Sequence, residues 1–207
     1  MSELTESNML SALNTISLSK ELVPPTDFLG YIGKDYQRIQ VVIEGARMLT
    51  PEAGYGLRGY TVVAGNKAPF EGRLRPQYMY PLPPSENDPE NRLRFVYMAS
   101  YELEEPKGGR HRGVFQGHFF LVLAQELDGK LVMDTSDEDQ AGYCNHQWVG
   151  IWTPYGGGET KPCNWGLHRI PRSGDLDVGQ DHFMPNERYW KNGWQAYVKA
   201  QHTPAED

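Results

Sequence analysis

The residue types that could do chemistry crowd into "NHQWVGIWTPYGGGETKPCNWGLHRIP", from Asn145 to Pro171. This stretch holds three of the chain's five tryptophans, a triple glycine, one of its two cysteines and two of its six histidines. Cys144-x-His146 and Cys163-x4-His168 place two thiols and two imidazoles close together, a donor set suited to zinc. Neither pair has the Cys-x2-Cys or His-x3-His spacing that usually closes a tetrahedral site. A buried free thiol, or a Cys144–Cys163 disulfide, competes with that reading.

Two acidic runs invite a test for hard cations. "DEDQAGYCN" sets Asp137, Asp139 and Gly142 at the first, third and sixth places of a calcium loop. Its fifth place is Ala141 and its twelfth is Trp148, where a bidentate Glu is required. "DLDVGQD" sets Asp175, Asp177 and Asp181 around Gly179, a weak candidate for calcium against the alternative of a solvated acidic loop.

"GYGLRG" (Gly54 to Gly59) is a literal Gly-x-Gly-x-x-Gly. A dinucleotide site needs a helix after it, and "YTVVAGN" follows instead, so the glycines are read as a loop or bulge between strands. Gly-x-Ser-x-Gly, His-Glu-x-x-His and Ser-x-x-Lys are all absent. His118 reads as an exposed or hydrogen-bonded strand histidine. No catalytic residue and no cofactor is assigned on these grounds, and a hydrolase-type enzyme ranks third among the functions considered.

The elements that must position these residues follow from composition and period. The 207 residues carry 12% aromatics and a net charge of −7, with 22 glycines and 15 prolines dispersed along the chain. That charge argues against nucleic acid and suits solubility or a basic protein partner. The start, "MSELTESNMLSALN", is acidic and has no secretory pattern, and no run is long and apolar enough to span a membrane. With only two cysteines, a cytoplasmic location is expected.

Met9, Leu10, Leu13 and Ile16 have helical spacing, so a short N-terminal helix over Thr5 to Ile16 is expected within an extension covering 1–20. From there the period becomes two, and 21–207 reads as a single β domain. Ile39, Val41 and Ile43 alternate with polar residues, and so do Leu93, Phe95, Tyr97, Ala99, Tyr101 and Leu103. Asp128-Gly129 is a strong hairpin signal, with Gly65-Asn66 and Asn192-Gly193 as further candidates. "YPLPPSENDPENR" (Tyr80 to Arg92) reads as an exposed loop. "PFEGRL" and "VFQGHF" repeat Phe-x-Gly-x-apolar, with glycine leaving room beside a ring. The fold class is therefore mainly β: an antiparallel barrel or two-sheet sandwich of roughly eight to ten strands with a short N-terminal helix.

Within that fold, His146 to Thr153 reads as a strand with Trp148, Gly150 and Trp152 on one face, and structural packing is the favoured role of its indoles. "CNWGLHRIP" returns as a strand, and "NERYWKNGWQAYV" reads as a closing hairpin. Tyr155, Trp165, Trp190 and Trp194 are candidates for an exposed aromatic patch of the kind that protein interfaces use.

The run "NHQWVGIWTPY…KPCNWGLHRIP" with "SGDLDVG" and "NERYWKNGW" resembles segments of uncharacterised bacterial all-β proteins. The likeness covers Phe115 to Trp194, implies a small barrel or sandwich, and carries no activity. The leading reading is a non-enzymatic protein that binds another protein, an immunity-type inhibitor of a toxin being its most concrete form. The alternative is a lipocalin-like barrel whose lumen is lined by Phe70, Phe115, Trp148 and Trp152.

Overall fold

A computed structural model describes residues 18–50, 53–109 and 111–201. The expected N-terminal helix lies outside the described residues. Nine strands form one antiparallel sheet: β1 (Leu29–Ile32), β2 (Gln37–Met48), β3 (Tyr55–Val63), β4 (Asn66–Leu82), β5 (Arg94–Glu104), β6 (Gly113–Gln125), β7 (Leu131–Met133), β8 (Asn145–Pro154) and β9 (Lys161–Leu167). Each stave pairs with its chain neighbour, β6 pairs with both β5 and β8, and β9 returns to β1. Eight strands thus close a barrel, with β7 appended to the end of β6. No helix among the described residues is long and apolar enough to cross a membrane.

The period of two decides what lies inside. Ile39, Val41 and Ile43 of β2 face Phe70 and Leu74 of β4, Tyr97, Ala99, Tyr101 and Leu103 of β5, and Trp148 and Trp152 of β8 in one buried cluster. The hairpin expected at Gly65-Asn66 turns one residue earlier, at Ala64-Gly65, where both residues have positive φ and Asn66 already opens β4.

The repeated Phe-x-Gly motifs fall on β4 and β6, the two strands that flank β5. Gly72 sits opposite Leu103, and Gly117 sits opposite Tyr101. On the far side Gly117 pairs with Gly150, and Gly150 with Cys163. The Tyr101 ring lies across this glycine pair. A Cβ on Gly150 would collide with both the Gln116 carbonyl and the Tyr101 hydroxyl.

One end of the barrel is covered by residues 18–28. Leu18, Leu22 and Phe28 are buried in the main cluster, and the Leu18 N–H donates to Tyr55 Oη. Fully buried His146 ties this strap to β8: its Nδ1 accepts from Trp148 Nε1 at 3.1 Å and its Nε2 bonds the Glu21 carbonyl at 2.9 Å. Burial pushes the imidazole pKa down from 6.5 to about 3, so it is neutral. The other end, the mouth, carries the connections 33–36, 64–65, 105–109 with 111–112, and 155–160.

Several expectations are corrected here. "NERYWKNGWQAYV" is no hairpin: Glu187–Asn192 is a 3-10 turn and Gln195–Gln201 is helix α1, so the helix described is C-terminal. Gly193 ends the turn in the left-handed conformation, a cap that serves a helix as readily as a hairpin. "GYGLRG" is no loop, since from Tyr55 onward it lies in β3. The loop after β4 buries Ser85 and Asp88, and the Asp88 carboxylate accepts from Arg92 Nε and from the backbone of Glu90 and Arg92.

Two outcomes follow for stability. Gly150→Ala should cost about 3 kcal/mol or more in urea denaturation, whereas Gly156→Ala, with nothing within 4 Å, should shift it by less than about 0.5 kcal/mol. The neutral His146 also has a signed effect. As pH falls from 6.5 toward about 3, the unfolded chain takes a proton that the folded chain refuses. Stability should fall by up to about 1.4 kcal/mol per pH unit across that window, and His146→Gln should flatten the slope.

Candidate functional site

The mouth gathers the groups with chemical potential. Glu105 follows β5, continues its inward face and is 4% exposed. Its Oε2 accepts from the Gly113 N–H at 2.8 Å and from Trp152 Nε1 at 3.1 Å. Its Oε1 accepts from Thr61 Oγ1 at 3.5 Å and faces Arg112 Nη1 at 3.7 Å, too long for a hydrogen bond. Tyr155 Oη donates to the Glu105 carbonyl. Burial raises the carboxyl pKa above its usual value, and the three donors and Arg112 oppose it only in part.

Deeper in, aromatic rings make a floor. Trp165 stacks on Trp148 with centroids 5.4 Å apart, and Tyr101 and Phe115 meet Trp165 edge-on at 5.4 and 6.0 Å. Phe119 packs against Trp148 at 4.4 Å, so rings fill the middle of the lumen. Within this aromatic interior, Tyr97 Oη, Tyr101 Oη and Trp165 Nε1 are buried without a hydrogen-bond partner among the described residues, and so is Arg112 Nη1 above them. Cys163 lies in the same interior, fully buried, and burial raises its thiol pKa strongly.

The sequence-derived candidates separate into three places. Phe115, Trp148, Trp152 and Trp165 line the interior, and Tyr155 stands half-buried at the mouth. Trp194 is fully buried in a second cluster outside the barrel with Tyr31, Ile170, Leu176 and Phe183. Trp190 is half-buried there and donates to the Pro185 carbonyl. Tyr155, Trp165, Trp190 and Trp194 therefore do not form one exposed patch. Glu105, Arg112 and Thr61 escaped the sequence reading and Tyr101 was read only as part of the β5 alternation, although Glu105 continues that alternation by one step.

Asp175 binds Arg188 and Tyr189, and Asp177 binds Arg169 at 2.7 Å and two backbone N–H groups. Asp181 is exposed apart from them, beside a cleft of about 180 Å³ that also borders His168 and Arg169. Among the described residues no three His, Cys, Asp or Glu side chains converge as metal ligands. Cys144 and Cys163 are both free thiols. His118 faces outward and contacts Gln77. No protein-family model, curated protein or solved structure matches the chain.

The raised pKa of Glu105 has a sign that can be checked. A carboxyl whose folded pKa lies above its unfolded value stabilises the fold fully at low pH and loses that contribution as pH rises through the folded value. Glu105→Gln can keep its carbonyl toward Gly113 and Trp152 while removing the charge. The melting temperature of Glu105→Gln relative to the parent should therefore climb as pH rises above about 4.3, the ordinary glutamate value, and level off once pH passes the raised folded value.

Proposed function

We propose that this protein binds a small molecule at the Glu105 end of its barrel. The observation that supports this most is that three of the four buried polar atoms without partners among the described residues, Tyr101 Oη, Trp165 Nε1 and Arg112 Nη1, lie below or at that end, the fourth being Tyr97 Oη. Each such group costs about 1–3 kcal/mol when left unpaired in an apolar interior, and native structures keep few of them. A ligand that supplies the missing partners removes that cost on binding. The rings of Trp152 and half-buried Tyr155 stand beside Arg112 at the mouth, the mixture of apolar and polar groups common to small-molecule sites. Because rings fill the middle of the lumen, the ligand is confined to the mouth and is short.

A protein partner is the second reading, with a toxin-neutralising immunity role as its concrete form. It draws on the outer face of β4, where Tyr78, 46% exposed, stacks on Tyr80 at 5.7 Å, and on a charge of −7 that suits a basic surface. Such an interface uses the outer aromatics, because Trp148, Trp165 and Trp194 are sealed from contact.

Native mass spectrometry of the full chain, purified without denaturation from its own host, tests the first reading. The expected result is a non-covalent small-molecule adduct, reduced in Ala68→Met, which narrows the mouth. A bare polypeptide mass, together with no binder in a calorimetric screen of small aromatic and aliphatic compounds, overturns it.

A further inference from the structure

Away from the mouth, the surface holds an open cleft of about 180 Å³. One side is the β7–β8 connection, with Glu138 and Tyr143, and the other is the segment after β9, from His168 to Phe183. Leu29 and Tyr197, half-buried in the cluster outside the barrel, complete the wall. The cleft is smaller than the roughly 300–1,000 Å³ of drug-sized pockets, which limits a ligand to about one ring.

Four side chains of metal-binding type border it: Glu138, His168, Asp181 and His182, all exposed. Among the described residues no three such groups converge as metal ligands, so a single ion cannot gather them. An organic molecule lying in the cleft can meet them one at a time.

The charges left over decide its sign. Arg169, the lone arginine of the lining, is spent: its guanidinium donates to Asp177 at 2.7 Å and to the carbonyls of Gly179 and Gln180. Glu138 Oε1 stands 3.5 Å from His168 Nε2, longer than a hydrogen bond. The neighbouring ion pairs use Asp175 and Asp177 and leave Asp181 without one among the described residues. Both carboxylates thus keep open acceptor positions, and a neutral imidazole can accept as well as donate. The half-buried Tyr143 ring, 4.9 Å from the His168 ring, adds a π face of the kind that attracts a cation. Tyr197 already meets the Arg38 guanidinium at 5.4 Å and serves as apolar wall.

We infer that this cleft binds a small primary amine that carries one ring. Its ammonium pairs with Glu138 beside Tyr143, Asp181 attracts it from the facing segment, and its ring rests on Leu29 and Tyr197. This site is independent of the one proposed at the mouth.

NMR titration of the intact protein with benzylamine, benzyl alcohol and benzoate provides the test, with the ring protons of His168 and His182 as reporters. Benzylamine should shift both imidazoles and bind tighter than the alcohol by about fivefold or more, the scale of one partly screened ion pair. Benzoate should bind weakest. Glu138→Gln should bring the amine down to the level of the alcohol and leave the alcohol unchanged, and Asp181→Asn should weaken the amine less, mainly at low salt. Both positions are exposed, so an unchanged melting temperature is expected of each variant. Alcohol or benzoate binding as tightly as the amine, an amine affinity untouched by Glu138→Gln, or no shift at His168 with any probe overturns the inference.

Discussion

The inside of an eight-stranded barrel has a width set by strand number and tilt, and here it must hold three indoles and several smaller rings. Four of the large rings, Trp165, Trp152, Phe70 and Tyr101, are each matched by a glycine on a strand nearby. A Cβ on Gly30 would stand 2.8 Å from the Trp165 Cβ, one on Gly113 2.8 Å from Trp152 Cε2, and one on Gly59 2.9 Å from the Phe70 ring. Gly150 yields its space to Tyr101 in the same way. This matching of large to small explains why tryptophan and glycine alternate so closely in β8. It also bears on where polar groups end up: with the centre filled by rings, the Trp148 and Trp152 N–H groups find acceptors toward the two ends, while Trp165 Nε1 stays in the interior without a partner among the described residues.

Those ends are built on a shared device. Trp148 and Trp152 stand four residues apart on the inner face of β8, and each donates its indole N–H to an ionisable group. At the strap end the acceptor is His146, whose other nitrogen holds the covering segment. At the mouth it is Glu105, whose neighbours leave Arg112 Nη1 unsatisfied. Burial disfavours the charged form of both groups, lowering the imidazole pKa and raising the carboxyl pKa. At the strap end both His146 nitrogens are partnered, whereas Tyr97 Oη, Tyr101 Oη and Trp165 Nε1 in the interior and Arg112 Nη1 at the mouth have no hydrogen-bond partner among the described residues.

Much of the barrel was readable in the sequence because alternation is a local signal. The inward set of β5 and the two-faced reading of β8 follow from period two alone, and nine strands fall within the expected eight to ten. The C-terminal region was misread because Asn192-Gly193 has the composition of a hairpin turn. The same left-handed glycine ends a 3-10 turn when the residues after it pack as a helix against Tyr31 and Phe183. The mouth was the least readable part. Glu105 meets Thr61 across 44 residues and Trp152 across 47, and no spacing rule connects positions brought together only by closure. Candidate tryptophans were recognised as important, but sequence could not say which of them face inward.

The shortest stave has a consequence for how the molecule is made. β1 is four residues long and joins β9, so that Tyr31 and Asn164 bond across 133 positions. Its flank is clasped by the last described segment, where Asn192 and Trp194 donate to the carbonyls of Asp35 and Tyr36, and Tyr31 Oη donates to the Arg172 carbonyl. A ribosome delivers these partners after the other staves. Until residues 161–167 emerge, β1 and β8 each present an unpaired backbone edge, the kind of surface on which nascent chains associate wrongly. Closure is then a late, long-range event of the sort that slows β-rich proteins, and the C-terminal clasp completes the molecule only after every stave is in place.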